Sequence, residues 1–385
     1  MYPAVHQAIA AVGVEEEFHI VDLATRRLTA QPGRLMEQLA AGSFSAELQR
    51  SVLEANSRPW TSLTGLAQDI AELRQAAITA AEPLGVGIVA AGTVPLADLD
   101  TIQITPDPRY ERIADEYRIL VREQLICGTH VHVDVDDRDL AVAVAYRVAP
   151  WLPVLLALSA SSPFWLGTDT GYASYRTLIW RRWPTAGVLP RFASAADYDQ
   201  AVADLVRSGV IADPGMIYFD IRPSAHLPTL ELRIADSCPR LEDVVLLAGL
   251  FRALVIRETA AEHEGYPPAP VRAELLQAAT WRAARSGLED DLVDPVTATP
   301  VPARRLIGQL LAGLRPALES AGDWELVAEL TTSALAVGSS AARQRAARAS
   351  GGLRHVIDTL AAETRAILPW LPGTRFPRVP VSTTR

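Results

Sequence analysis

Apolar residues alternate with polar ones in a few short stretches of the first 240 residues, and recur at helical spacing through most of the rest. The three-to-four spacing predicts helices near 63–82, 109–125, 138–149, 197–207 and 241–264. From 271 to about 368 the chain reads as almost continuous helix, broken around 294–302. The period-two stretches are 12–20, 128–136, 217–222 and 229–235, with a fifth short segment at 51–56. Segment 158–184 follows neither period. Its three tryptophans, two tyrosines and many hydroxyls predict a long ordered loop over a site. Pro369, Pro372, Pro377 and Pro380 mark an extended tail over 369–385. No repeat or Gly/Ser linker divides the remainder, so 1–368 is expected to be a single domain.

Alternation decides what each strand shows to its two sides, because strand side chains point up and down in turn. In the first strand Val12, Val14, Phe18 and Ile20 share one face, and Glu15, Glu17 and His19 the other. Glu16 falls among the apolar set. Two carboxylates roughly 7 Å apart on one strand repel unless a positive group lies between them. In the second strand Val131, Val133 and Val135 oppose His130, His132, Asp134 and Asp136. Imidazole and carboxylate on one face suit metal binding or proton transfer, although metal hydrolases also carry His-x-His on a strand. In the last two strands Tyr218, Asp220 and Arg222, then Glu231 and Arg233, alternate with apolar partners. Taken singly, these two read as surface ion-pair ladders of little energetic consequence. Taken together, the strands could bring Glu15, Glu17, His130, His132, Glu231, Arg222 and Arg233 to one concave surface. Carboxylates with one or two imidazoles suit Mg²⁺ or Mn²⁺, and neighbouring arginines suit phosphate. Glu54, and Glu47 seven residues before it, could complete a metal site, though composition alone reads each as a surface acid. Arg176 is the candidate in the aromatic segment for holding a substrate carboxylate, with Tyr175 beside it.

Composition narrows the chemistry. The 385 residues are 49% hydrophobic and 21% charged, enough for a sizeable core. A net charge of −9 argues against nucleic acid or an anionic membrane as partner. No lysine occurs, so all 36 basic side chains are arginine. That removes phosphate-loop, Schiff-base and kinase-type lysine chemistry. Cys127 and Cys238 are too few for a disulfide framework or a four-thiolate zinc site. Without a signal-like leader or an uninterrupted apolar span, a cytoplasmic location is expected.

Several ordered blocks carry a resemblance: GVEEEF at 13–18, CGTHVHVDV at 127–135, SASSPFWLGTDTGYASYR at 159–176, IWRRWPTAG at 179–187, DIRPS at 220–224 and PTLELRIAD at 228–236. They resemble the type-2 glutamate–cysteine ligase family, carboxylate–amine ligases of the glutamine-synthetase-like superfamily, from about residue 11 to about 350. The resemblance implies an α+β fold: a curved, mainly antiparallel sheet forming the active site, helices packed on its back, and a helical C-terminal third. It implies ATP, two or more Mg²⁺ (or Mn²⁺) ions, and a γ-glutamyl amide made from glutamate and an amine such as cysteine through an acyl phosphate. By motif, Glu15 and Glu17 resemble paired metal ligands, His130 and Glu231 the ligands of the phosphate-side metal, and His132 a nucleotide-phosphate contact. Arg233, assisted by Arg222, resembles the arginine on the transferred phosphoryl group. Glu54 is a weaker carry-over as metal ligand. The acceptor amine, the general base (Asp134, Glu54 or Asp220) and homo-oligomeric assembly stay open. A metal-dependent amidohydrolase using His130 and His132, and a non-catalytic metabolite-binding relative, are the rival readings.

Overall fold

The structure, a computed structural model, describes residues 10–366; the proline-rich tail expected at 369–385 lies outside them. Its centre is a seven-stranded antiparallel sheet. The strands are β1 (Val12–Asp22), β2 (Phe44–Ala46), β3 (Val52–Asn56), β4 (Val86–Val89), β5 (Thr129–Asp134), β6 (Ile221–Pro223) and β7 (Thr229–Leu232). They run in the order β2-β3-β1-β5-β7-β6. The first half of β1 pairs with β5 and its second half with β4.

Eight longer helices matter to the packing: α1 (Leu63–Ala81), α2 (Arg138–Val148), α3 (Leu152–Ser159), α4 (Leu241–His263), α5 (Ala273–Ser286), α6 (Ala303–Ala321), α7 (Trp324–Val337) and α8 (Ser340–Arg365). Buried along most of its length, α4 runs behind β1 and β5 and meets α1, α2, α3, α6 and α7. Val12, Val14, Val131, Val133, Ile221, Leu230 and Leu232 enter one core with it. The apolar half of each alternation therefore faces the helices, and the polar half faces away from them. Residues Arg138–Ser159 form the one helical run among those described that is long and apolar enough to cross a membrane, and 78% of its most apolar stretch is buried inside the protein. It is a core helix pair.

Glu16 fits the same logic once α1 is in place. Arg74 reaches from α1 to grip the Glu16 carboxylate with two donors at 2.6 and 3.0 Å, and also donates to the carbonyls of Cys238 and Pro239. A carboxylate on the core face is tolerated because it is paired and hydrogen-bonded there.

Several elements differ from the sequence expectation. The helix expected over 109–125 breaks at Arg118, whose φ is +51°, into Pro108–Tyr117 and Ile119–Arg122. The strand expected over 217–222 shortens and shifts to β6, with Phe219 making only an isolated bridge to Gly187 before it. Segment 158–184 is more regular than a loop. It holds a hairpin (Phe164–Trp165 with Thr168–Asp169) and a short helix, Tyr175–Trp180, capped by the Ser174 side chain. The break near 294–302 is a hairpin, Asp291–Asp294 with Thr299–Pro302.

Candidate active site

Strand register assembles the polar face. Across β1 and β3, Glu17 lies opposite Glu54; across β1 and β5, Glu15 lies opposite His130. His132 then pairs with Glu231, and Glu231 with Arg222 on the edge strand β6. A slip of one residue would send every one of these groups into the core.

Two donor groups result. In the first, ligand atoms of Glu15, His132 and Glu231 lie within 4.8 Å of one another. The two Glu15 oxygens stand 3.2 Å from His130 Nδ1 and 3.2 Å from His132 Nε2, while His132 Nδ1 and Thr229 Oγ1 are 2.9 Å apart. Burial opposes charge on Glu15, but contact with the two imidazoles prevails and holds its carboxyl far below the usual range. Arg222 Nε donates to Glu231 at 2.8 Å, and Arg233 Nη1 donates to its other oxygen. Glu231 is also buried, and the charges of Arg233 and Arg222 overcome that burial to keep it ionised. Burial alone would lower His132; its contact with Glu15 and the charge of Glu231 raise it instead. With Glu231, Arg222 and Arg233 2%, 9% and 8% exposed, the surface ion-pair reading of these strands fails.

The second group is Glu17, Glu47 and Glu54, again with oxygens within 4.8 Å of one another. Glu54 accepts from Ser45 Oγ (2.7 Å) and Asn56 Nδ2 (3.1 Å), and Glu17 from the Gly128 N–H. Burial first, then the negative charges of Glu54 and Glu17, push the Glu47 carboxyl well above the usual range. Three converging carboxylates are a hard-oxygen set that suits Mg²⁺ or Mn²⁺ and would relieve that repulsion.

Between the groups lies a cavity of about 240 Å³, lined by Glu15, Glu17, Glu47, Glu54, His130, Arg109, Arg176, Arg222 and Arg233, with Tyr110, Trp180, Trp183 and Tyr218 among its walls. A second cavity, about 430 Å³, opens beyond Glu15 and His132, among Val14, Asn56, Pro59, Asp134, Leu227 and Pro228.

Residues 11–359 match glutamate–cysteine ligase family 2. The chain belongs to that family. It is 57% identical over 360 residues to a Frankia alni protein named "Putative glutamate–cysteine ligase 2-3", covering 93% of this chain and 42% of the relative. A Mycolicibacterium smegmatis protein named "Putative glutamate–cysteine ligase 2-2" is 52% identical, over 92% of this chain and 89% of the relative. This chain thus spans less than half the length of the first relative and most of the second. In fold it is similar to the glutamate–cysteine ligase of Francisella tularensis in complex with AMP, with a TM-score of 0.69 and 14% identity over 96% of this chain and 91% of that one. The α+β expectation holds, with an antiparallel sheet presenting the polar residues and helices packed behind it, a fold shared with that ligase.

In this family-2 chain, the residues singled out from sequence divide unevenly. Glu15, Glu17, Glu54, His130, Arg176, Arg222 and Arg233 all line the main cavity. His132, rather than His130, joins the convergent set with Glu15 and Glu231, because it is the register partner of Glu231. Glu47 lines the main cavity and converges with Glu17 and Glu54, so it is not an ordinary surface acid; it sits between β2 and β3, where no alternation flags it. Tyr175 does not reach the cavity: its ring lies against Trp165 (5.9 Å) and Tyr172 (6.3 Å). His19, on the polar face by alternation, is fully buried outside the cavity lining, and burial lowers it to about 3. Asp236 ties the aromatic segment to the sheet, accepting from Ser161 N, Ser162 Oγ and Ser174 Oγ. Cys127 is buried, and that burial raises its thiol well above the ordinary value, which disfavours a thiolate.

Proposed function

We propose that the chain is an ATP-dependent carboxylate–amine ligase, forming a γ-glutamyl amide from glutamate and an amine, cysteine by default, through an acyl phosphate. One observation carries this reading: Glu15, which converges with His132 and Glu231, lines one cavity together with Glu17, Glu47 and Glu54 and with Arg222 and Arg233, the two arginines that pair with Glu231. Glu15, His132 and Glu231 could hold one Mg²⁺ or Mn²⁺, and Glu17, Glu47 and Glu54 another. When bound, such ions neutralise phosphate oxygens in the transition state.

A carboxylate and an amine at neutral pH form an ion pair and not an amide. The γ-carboxylate therefore first takes the γ-phosphoryl group of ATP: its oxygen bonds to phosphorus as the bond to the ADP oxygen breaks. The amine, having lost a proton, attacks the acyl carbon and phosphate leaves. Arg233 and Arg222 supply fixed positive charge beside the transferring group. Arg176 is placed to hold the acid's other carboxylate: it is 2% exposed, its Nη atoms reach backbone carbonyls only at 3.3 and 3.4 Å, and Asp236 is 4.0 Å away. The second cavity, beside His132, is the place for the nucleotide. Of the three carboxylates weighed as base, Glu54 lines the main cavity; Asp134 and Asp220 do not, and Asp220 pairs with Arg181 at 2.9 Å. The test is ADP release from ATP and glutamate with a panel of amines, with products read by mass. Amide hydrolysis without ATP would instead support the amidohydrolase reading, and no turnover a binding relative.

Chelation is expected to abolish ADP release, with Mg²⁺ or Mn²⁺ restoring it and Zn²⁺ doing so poorly, since oxygen-rich sets favour octahedral ions. Normal turnover in chelator would remove both ion assignments. Gly128→Ala tests Arg176 indirectly. A Cβ there would stand 2.4 Å from Arg176 Nη2, so the guanidinium must move. The expected result is a folded protein whose KM for the acid rises about tenfold, the scale of one weakened charged contact, with KM for ATP nearly unchanged. An unchanged acid KM would free Arg176 from substrate binding.

A further inference from the structure

The block IWRRWP at 179–184 has so far no part in the chemistry, yet its first tryptophan lies under two of the cavity's arginines. Trp180 follows Arg176 by one helical turn on Tyr175–Trp180, so the two share a face. The Arg176 Cζ is 5.8 Å from the Trp180 ring centroid, and Arg233, from the end of β7, places its Cζ at 5.9 Å. The ring is itself braced. Tyr218 lies 4.7 Å from it and Trp183 6.4 Å, and Trp183 is pinned by its indole N–H donating to Gln124 Oε1 at 2.8 Å. Trp180, Trp183 and Tyr218 all line the same cavity as the two arginines.

The guanidiniums have few other means of being held. Three donors in this cluster, Arg176 Nε, Arg233 Nε and Trp180 Nε1, are buried without an acceptor. The carboxylate nearest Arg176, Asp236, already accepts from three groups of the 161–174 segment. Arg233 has Glu231, but Glu231 is shared with Arg222. Two like charges facing one cavity, one of them with its counter-ion Asp236 only at 4.0 Å and already shared, need something that attracts both and does not compete for their outward donors. An indole face does this through its quadrupole, and more strongly where water is excluded.

We propose that Trp180 is a positioning residue of the site: its indole ring holds the guanidiniums of Arg176 and Arg233 together, so that one aromatic side chain sets both the grip on the anionic acid substrate and the charge beside the transferring phosphoryl group. This rests on the ligase reading above for its kinetic consequence, but not for the anion binding itself.

The test replaces Trp180 in the full chain by tryptophans carrying one, two and four ring fluorines. These keep the shape while draining the ring's negative face. Trp180→Phe and Trp180→Leu accompany the series. Two readouts are taken on each protein: affinity for inorganic phosphate by calorimetry, and kcat and KM for the acid in ADP release. Phosphate affinity should fall stepwise with fluorination, by about tenfold over the series, as expected for a desolvated cation–π contact. The acid KM should rise and kcat fall in parallel, with Trp180→Phe intermediate and Trp180→Leu lowest. A flat series on both readouts, or no phosphate binding by the unaltered protein, overturns the inference, and the near-isosteric series does so even if Trp180→Leu fails to fold. Stepwise loss of phosphate affinity in a protein that releases no ADP with any acid would uphold the positioning role and remove the ligase reading.

Discussion

Glu15→Gln is expected to abolish amide formation in a protein that still folds. Glu15 bridges His130 and His132 with its two oxygens and keeps 28% of its side chain exposed, so an amide of the same shape leaves no buried charge stranded. What is lost is an anionic donor in the Glu15–His132–Glu231 set, and turnover should fall by at least about 10²-fold, the scale of removing one preorganised charge contact. ADP release with saturating Mg²⁺, beside a normal unfolding midpoint, checks this; near-normal turnover would sink the shared-face assignment. Glu231→Gln should lose activity as steeply but is a less clean test. Its side chain is 2% exposed between Arg222 and Arg233, and breaking a buried pair costs about 3–5 kcal/mol. Acid should act in the same direction. The Glu231 carboxyl is depressed below its ordinary 4.5, after burial is overcome by the charges of Arg233 and Arg222. Its contribution to stability is therefore complete above 4.5 and is lost as pH falls from there toward the depressed value.

Arg233→Lys is the second large effect. On an exposed sheet the exchange would matter by roughly 0–1 kcal/mol, but Arg233 is buried, bonded to Glu231 through Nη1 and lying over Trp180 and Tyr218. Lysine keeps a positive charge for Glu231, so folding and ion binding should survive. It cannot reproduce a planar fork that holds Glu231 and phosphoryl oxygens at once. Glutamate-dependent positional isotope scrambling in ATP, which reports acyl-phosphate formation, should fall by about 10²-fold or more. Scrambling at the unaltered rate would assign Arg233 to the sheet and make Arg222 the residue to test. Arg222 has less freedom, since its Nη1 donates to the carbonyls of Gly215 and Ile217 and its Nη2 to Glu231.

Much of the site was legible because its logic is local. Period-two alternation is a property of each strand, so the sharing of a face by Glu15 and Glu17, or by His130 and His132, followed from residue order. The long helices were legible for the same reason. The ordered motif blocks carried the family, and with it the α+β architecture.

What neighbouring strands do to one another was not local. Which imidazole joins Glu231 depends on register between β5 and β7, and that selected His132. Glu47 has no periodic signature; it enters the site because the β2–β3 pairing folds residue 47 toward Glu17 and Glu54. Glu16 looked like an error in the pattern until α1 delivered Arg74, 58 residues away. Tyr175 adjoins Arg176 in sequence, yet successive residues on a helix project about 100° apart, and packing of the aromatic hairpin took Tyr175 away from the cavity. Sequence order determined which groups share a face of each element. Backbone pairing and core packing between distant segments decided which of those faces meet, because only long-range contacts bring residues tens or hundreds of positions apart within bonding distance.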